Sequence, residues 1–220
     1  MLHALNSLRN RLVPCLNCAR PLPLPEVIDL LNKSKFTRLH LDVSEGDPSL
    51  LPFSIAEANA ILDIVPTSAH VHVWPSVRRY ALRHLRSRDH DIVSVHLSRI
   101  RNAGEWGEWR AAIRLGDFGC VLDRGSPARC DLISRFRQCT VLAGALGTRG
   151  ASMTDECIGT IQQLSTLYKG LHIRLCLDGG VSTASLLTVE TLPVHDIVAG
   201  SLLFGNPPSF AILDAALSRL

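Results

Sequence analysis

Eight short apolar runs, each followed by a turn or an amphipathic stretch, constrain this chain more than any other feature. The strand-like runs lie near Leu12–Leu16, Thr37–Val43, Ala69–Trp74, Ile92–Leu97, Phe118–Leu122, Thr140–Ala145, His172–Leu177 and Asp196–Ala199. Helical periodicity falls between them, at Pro25–Asn32, Ile55–Ile64, Val77–Leu85 and Thr154–Leu167, and again at Pro208–Leu220. Strands alternating with helices imply right-handed βαβ units and a parallel sheet. Eight such units in 220 residues favour closure over an open sheet. The expectation is an α/β chain of one domain over residues 1–220, a parallel eight-stranded (β/α)8 TIM barrel. Pro25 suits the first turn of its helix, Thr154 with Cys157 downstream gives a partial cap, and Ser182 or Thr183 is expected to cap the helix after Gly179-Gly180.

Composition limits the partners. A hydrophobic share of 46% fills a core of this size, and a net charge of +3 is too mild to mark a nucleic-acid binder. Arg78, Arg79, Arg83, Arg86 and Arg88 recur at helical spacing without interleaved aromatics, which reads as a solvated helix face. Seven cysteines, scattered through strands and helices, suit reduced thiols and a cytoplasmic setting. No apolar run reaches the length of a membrane span. The segment Met1–Val13 carries Arg9 and Arg11 but no small-residue cleavage pattern, and reads as a lead-in to the first strand.

The stretch from Arg174 to Gly205 contains two strands that open into glycines, Asp178-Gly179-Gly180-Val181 and Gly200-Ser201. In a (β/α)8 barrel the last two strand ends commonly form a phosphate site, because bare backbone N–H groups face the anion there. On this segment alone, two ordinary strand-to-helix turns fit as well.

Active sites of such barrels sit at the C-terminal ends of the strands, so the polar residues there are the candidates. His40 and Asp42 alternate with Leu39, Leu41 and Val43, so they share one face of their strand while the apolar residues take the other. His70 and His72 alternate in the same way, and Asp178 ends the seventh run. A lone histidine in an apolar strand is ordinarily a hydrogen-bonded core residue, and a lone aspartate after a strand is ordinarily a helix cap. Together, His40, His72, Asp42 and Asp178 form a donor set suited to a divalent metal.

The chain also resembles the ribulose-phosphate 3-epimerase family over nearly its whole length. The resemblance is carried by Pro14-Cys15-Leu16, His40-Leu41-Asp42-Val43 with Gly46, Val71-His72-Val73, Val95-His96-Leu97, Leu177-Asp178-Gly179-Gly180-Val181, and Val198-Ala199-Gly200-Ser201 with Phe204. It implies a (β/α)8 enzyme that interconverts ribulose 5-phosphate and xylulose 5-phosphate with one divalent ion: Zn, Fe, Mn or Co. The resemblance assigns His40, Asp42, His72 and Asp178 to the metal, and Asp42 and Asp178 to acid–base catalysis on opposite faces of the sugar. It assigns Cys15, His72, Gly179, Gly180, Gly200 and Ser201 to the substrate, the last four around its phosphate. It further implies a phosphorylated ketose as partner, a homo-oligomer, and neither a nucleic acid nor a membrane.

The departures from the family lie in the pocket walls. Cys15 stands where serine is usual, and Ser44, Trp74 and Leu142 stand where the family carries methionines. Leu146-Gly147-Thr148-Arg149-Gly150 replaces a Pro-Gly-Phe-Gly-Gly loop, and the loop through Glu45, Asp47 and Pro48 is shorter. These changes suit a divergent paralogue, an isomerase or lyase on another sugar phosphate, as well as they suit the housekeeping epimerase. A catalytically silent barrel is the third reading, and retention of all four proposed ligands argues against it. Cys15 and Cys18 form a lone C-x-x-C with no second pair, a weak sign of a redox or zinc site. His96 is expected at the barrel mouth or core, His195 at the opposite end, and Trp106 and Trp109 in the outer helical layer.

Overall fold

The computed structural model describes residues 8–34, 36–45, 52–123, 130–145 and 152–219. Eight parallel strands form one sheet in the order β1-β8-β7-β6-β5-β4-β3-β2. They span Leu12–Pro14 (β1), Arg38–Val43 (β2), Ser68–Val73 (β3), Ile92–His96 (β4), Asp117–Leu122 (β5), Gln138–Leu142 (β6), Arg174–Asp178 (β7) and Asp196–Ala199 (β8). All eight expected strands are present. The first stops at Pro14 because Leu16–Ala19 turns into a 3₁₀ segment. The seventh extends to Asp178, which places that carboxylate on the strand itself.

Helices of at least one turn follow most strands: α1 (Leu24–Lys33), α2 (Ile55–Ile64), α3 (Ala103–Ala112), α4 (Cys130–Ile133), α5 (Asp155–Leu167), α6 (Leu186–Thr191), α7 (Ser201–Phe204) and α8 (Phe210–Leu217). Local chemistry sets their starts. Pro25 lies in the first turn of α1, Ser54 and Glu57 form a full capping box on α2, and Thr154 accepts from the Cys157 N–H on α5. Each such cap contributes about 1 kcal/mol.

Two local expectations change. The helix after Gly179-Gly180 starts later than expected, at Leu186, and Ser182 instead accepts from the Ser185 N–H in the turn before it. The Val77–Leu85 stretch is a 3₁₀ segment over Arg79–His84, not an α-helix. A 3₁₀ coil rises about 2.0 Å per residue against 1.5 Å, so it spans more distance with the same residues. Its arginines do not form a uniform solvated face. Arg79 pairs with Glu108 and Arg86 with Asp63. Arg88 turns inward, bonding Asp91 and the carbonyls of Leu62, Val65 and Thr67.

Alternation along the strands separates two interiors. Leu39, Leu41, Val43, Val71, Val93 and Leu177 face the helices and join the main apolar core. The opposite set meets across the barrel. Arg38 on β2 pairs with Asp196 on β8 at 2.6 Å, although β1 lies between their strands. His70 on β3 meets Gln138 on β6 at 3.1 Å. Among the described residues the barrel interior therefore carries several polar side chains, beside buried Ile92, Val121 and Leu142 and a small apolar cluster of Val13, Cys15, Cys176 and Val198. Gly119 keeps this layer close, since a Cβ there would lie 2.2 Å from Ser94 Oγ.

Closure between β1 and β2 rests on few bonds. Their backbones meet at one bridge, Cys15 with His40. Two residues further on, the buried Asn17 side chain stands in for a peptide group. Its Oδ1 accepts from the Asp42 N–H at 2.7 Å, and its Nδ2 donates to the Asp42 carbonyl at 3.0 Å. Phe53 joins the same seam, donating its N–H to the Asp42 carbonyl at 2.8 Å. Replacing Asn17 with Ala leaves the Asp42 N–H without its acceptor, and an orphaned buried donor costs about 2 kcal/mol. Urea denaturation of Asn17→Ala is expected to show a loss of that size. An unchanged midpoint would mean that the barrel closes without the amide.

Candidate metal centre

The C-terminal ends of β2, β3 and β7 bring His40, Asp42, His72 and Asp178 together. One ligand atom from each lies within 4.8 Å of all the others, a candidate site for a metal ion among the described residues. Both histidines are fully buried, and the two carboxylates are slightly open to the mouth. His40 Nε2 stands 3.4 Å from Asp42 Oδ1 and 3.7 Å from Asp178 Oδ2. His72 Nδ1 stands 2.9 Å from Asp42 Oδ1 and 3.4 Å from Asp178 Oδ2.

The His72 nitrogen tests whether a cation fits. It is buried and close to two carboxylate oxygens, yet neither is aligned as a hydrogen-bond partner. Burial alone would lower the His72 pKa, but Asp178 and Asp42 outweigh it and raise the value to about 9. Burial likewise opposes charge on Asp42, and the neighbouring His40 and His72 more than reverse that, holding its pKa well below the usual carboxylate range. Two converging carboxylates therefore favour a positive charge between them, and two imidazole nitrogens with two carboxylate oxygens are a donor set that a divalent ion accepts.

Three of the four ligands have side-chain support. Asp42 Oδ1 also accepts from Trp74 Nε1 at 3.1 Å, and its Oδ2 lies 3.7 Å from Cys15 Sγ. His40 Nδ1 lies 3.2 Å from His70 Nδ1, whose Nε2 contacts Ser94 Oγ at 2.9 Å. His72 Nε2 lies 2.9 Å from His96 Nε2, and His96 Nδ1 lies 2.6 Å from Asp123 Oδ1. Burial lowers the His96 pKa despite Asp123, while the hydrogen bond from His96 lowers that of Asp123.

The remaining sequence candidates ring this cluster. Gly179 and Gly180 adopt left-handed conformations, with φ of 83° and 70°. A Cβ on Gly180 would strike Ala143 Cβ at 2.6 Å, whereas the space beside Gly179 is open. The Gly179 N–H makes a long bond to the Val198 carbonyl at 3.4 Å. Gly200 precedes α7, which begins at Ser201. There the space of a side chain is taken by Cys18 Sγ, 2.3 Å from an ideal Cβ, so the C-x-x-C pair packs between Asp42 and Gly200. The Cys15 pKa is raised well above normal, first by the contact with Cys18 and then by burial. Ser44 bonds Ser76 at 2.7 Å, and Leu142 is buried at the end of β6. Gly46, Asp47, Pro48 and the Leu146–Gly150 loop with Arg149 lie outside the described residues. His195 sits at the opposite end beside Leu175, as expected, and Trp109 packs in α3.

Sequence reasoning left Asn17, Asp123 and the support from His70 without a role. The period-two alternation of Ser94 and His96 on β4 signals inward residues, but nothing local in the sequence identifies their partners.

Comparison with known proteins gives the family and the fold. A family profile described as Ribulose-phosphate 3 epimerase family matches residues 11–204. The chain belongs to that family. No curated protein sequence matches it significantly. Among solved structures it is similar to phosphoribosyl anthranilate isomerase from Thermus thermophilus, with a TM-score of 0.65 and 17% identity over 95% of this chain and 97% of that one. It is also similar to the tryptophan synthase alpha subunit from Campylobacter jejuni, with a TM-score of 0.61 and 11% identity over 95% and 94%. Tryptophan synthase from M. tuberculosis gives 0.60 and 18% over 99% and 95%. These likenesses concern the barrel fold. No helix among the described residues is long and apolar enough to cross a membrane.

If the four-residue cluster binds an ion, adding Zn²⁺ or Mn²⁺ to chelator-stripped protein raises its melting temperature. At free metal 100 times Kd the gain is about 2.7 kcal/mol. His72→Ala is expected to lose most of that gain, as read by calorimetry. A parent protein whose melting is insensitive to every divalent ion would rule the centre out.

Proposed function

We propose that this protein is a metal-dependent ketose-phosphate 3-epimerase of the ribulose 5-phosphate/xylulose 5-phosphate type, an isomerase of carbohydrate metabolism. The observation that carries the reading is the convergence of Asp42 and Asp178, from strands separated by β1 and β8, on two buried imidazoles at the mouth of the barrel. Membership of the epimerase family supports it.

His40, Asp42, His72 and Asp178 hold the ion in this reading. A bound divalent ion supplies electrostatic stabilisation of the negative charge that develops on the substrate oxygens. One of the two aspartates removes the proton from C3, and the other returns a proton to the opposite face. Reversal exchanges their roles, so both need to stay ionisable while held in place. Trp74, and the bonds of the Asn17 amide to its backbone, fix Asp42 for that task. Gly179, Gly180, Gly200 and Ser201 bind the substrate phosphate, with Cys15 and His72 beside the sugar. The metal is Zn, Fe, Mn or Co, the setting cytoplasmic and the assembly a homo-oligomer.

The indole of Trp74 on Asp42 also favours a pocket altered at the sugar end. A bulky N–H donor beside the proton-transferring carboxylate changes both the volume and the polarity offered to the substrate carbons.

Exchange of the C3 hydrogen in deuterated water, across a panel of pentulose and hexulose phosphates, tests both parts. Asp178→Asn is expected to lower exchange by about 10²–10⁴-fold with the fold retained. Free ribulose is expected to lose turnover as well as affinity, because binding energy from the phosphate helps position the reacting carbon. Near-parental exchange by Asp178→Asn would overturn the acid–base role, and equal turnover of free ribulose would remove the phosphate site.

A further inference from the structure

Behind His72 a chain of three side chains runs from the candidate metal centre to the rim of the barrel. His72 Nε2 lies 2.9 Å from His96 Nε2, and His96 Nδ1 lies 2.6 Å from Asp123 Oδ1. Ser98 Oγ donates to the other oxygen, Asp123 Oδ2, at 3.0 Å and fixes the carboxylate. His72 and His96 are buried, and Asp123 is about one-third exposed.

Hydrogen-bond bookkeeping gives this chain one direction. An ionised carboxylate only accepts, so the proton between His96 and Asp123 belongs to His96 Nδ1. A neutral His96 then presents a lone pair at Nε2, and the proton between the two rings belongs to His72 Nε2. With Nε2 committed to that proton, His72 Nδ1, the atom that faces Asp42 and Asp178, is the one that yields its proton and offers a lone pair when a metal binds. The support of His40 ends on no carboxylate, and His70 Nε2 also meets Gln138 Nε2 at 3.1 Å. It passes through His70 to Ser94, whose hydroxyl donates or accepts equally well.

We propose that Asp123 and His96 are positioning residues that hold His72 in the tautomer whose Nδ1 binds the metal, so that a carboxylate at the end of β5 sets metal affinity at a site it does not touch. The inference rests on the metal-dependent reading above. Groups behind a ligand histidine typically change metal affinity by 10–100-fold when removed, because they fix both the ring and its tautomer.

The test is the Zn²⁺ affinity of the full chain, measured by competition with a chelating dye after metal stripping, alongside melting of the metal-free protein. Asp123→Asn keeps the size of the side chain but removes its charge and offers a donor that allows the chain to reverse. It is expected to weaken Zn²⁺ binding by about 10–100-fold with the metal-free melting temperature unchanged. His96→Leu is expected to weaken binding similarly. His96→Gln has one acceptor for His72 and one donor for Asp123, and is expected to recover most of the affinity. With Co²⁺ in place of Zn²⁺, the visible absorption bands of Asp123→Asn are expected to shift from those of the parent.

Parental Zn²⁺ affinity in both Asp123→Asn and His96→Leu would overturn the inference while leaving the metal centre standing. Loss of affinity that comes only with a matching loss of metal-free stability would overturn it too, by showing a structural role. A parent chain that binds no Zn²⁺ or Co²⁺ at all would remove the metal centre itself, and the positioning role with it.

Discussion

The barrel depends on a seam that the strands alone do not close. β1 is three residues long and pairs with β8, and toward β2 the one bridge among the described residues is made by Cys15, just past its end. The Asn17 amide completes the ladder by presenting one donor and one acceptor to the Asp42 backbone, as a peptide group would. Arg20 and Phe53 cover it, with the guanidinium 4.3 Å above the ring. The residue pinned by this seam is the one whose side chain lies at the heart of the candidate metal centre. Closing the fold and aiming the carboxylate are thus one event.

The second constraint is the polarity of the barrel interior. Barrels of this class usually fill that space with branched apolar side chains. Here His40, His70, Ser94, Gln138 and Thr140 occupy it, all buried. Buried polar groups need partners, since each left unpaired costs free energy. Most find them on a neighbouring strand, and His70 also reaches Gln138 across the barrel, so a network of contacts backs His40. Stability comes from the apolar layer between strands and helices.

Much of this was legible in the sequence. Period-two alternation on β2 and β3 put His40, Asp42 and His72 on the inner face, and the apolar run into Asp178-Gly179-Gly180 marked the end of β7. The alternation gives the face of a strand but not the neighbour across a closed sheet, so the pairing of His96 with His72 and Asp123 had no local signal. Asn17 was equally silent, since a side chain acting as a peptide group leaves no periodic trace. At Arg79–His84 the spacing of buried Ala81, Leu82 and Leu85 imitates an α-helix, while the backbone forms the tighter 3₁₀ coil.

At the other end of the strands, Asp196 is gripped by Arg38 at 2.6 Å and Arg174 at 2.9 Å. This ion triplet stoppers the barrel beneath the histidine layer. The barrel is thus closed by charge at that end and open at the other, where Asp42 and Asp178 keep 18% and 15% of their side-chain surface exposed.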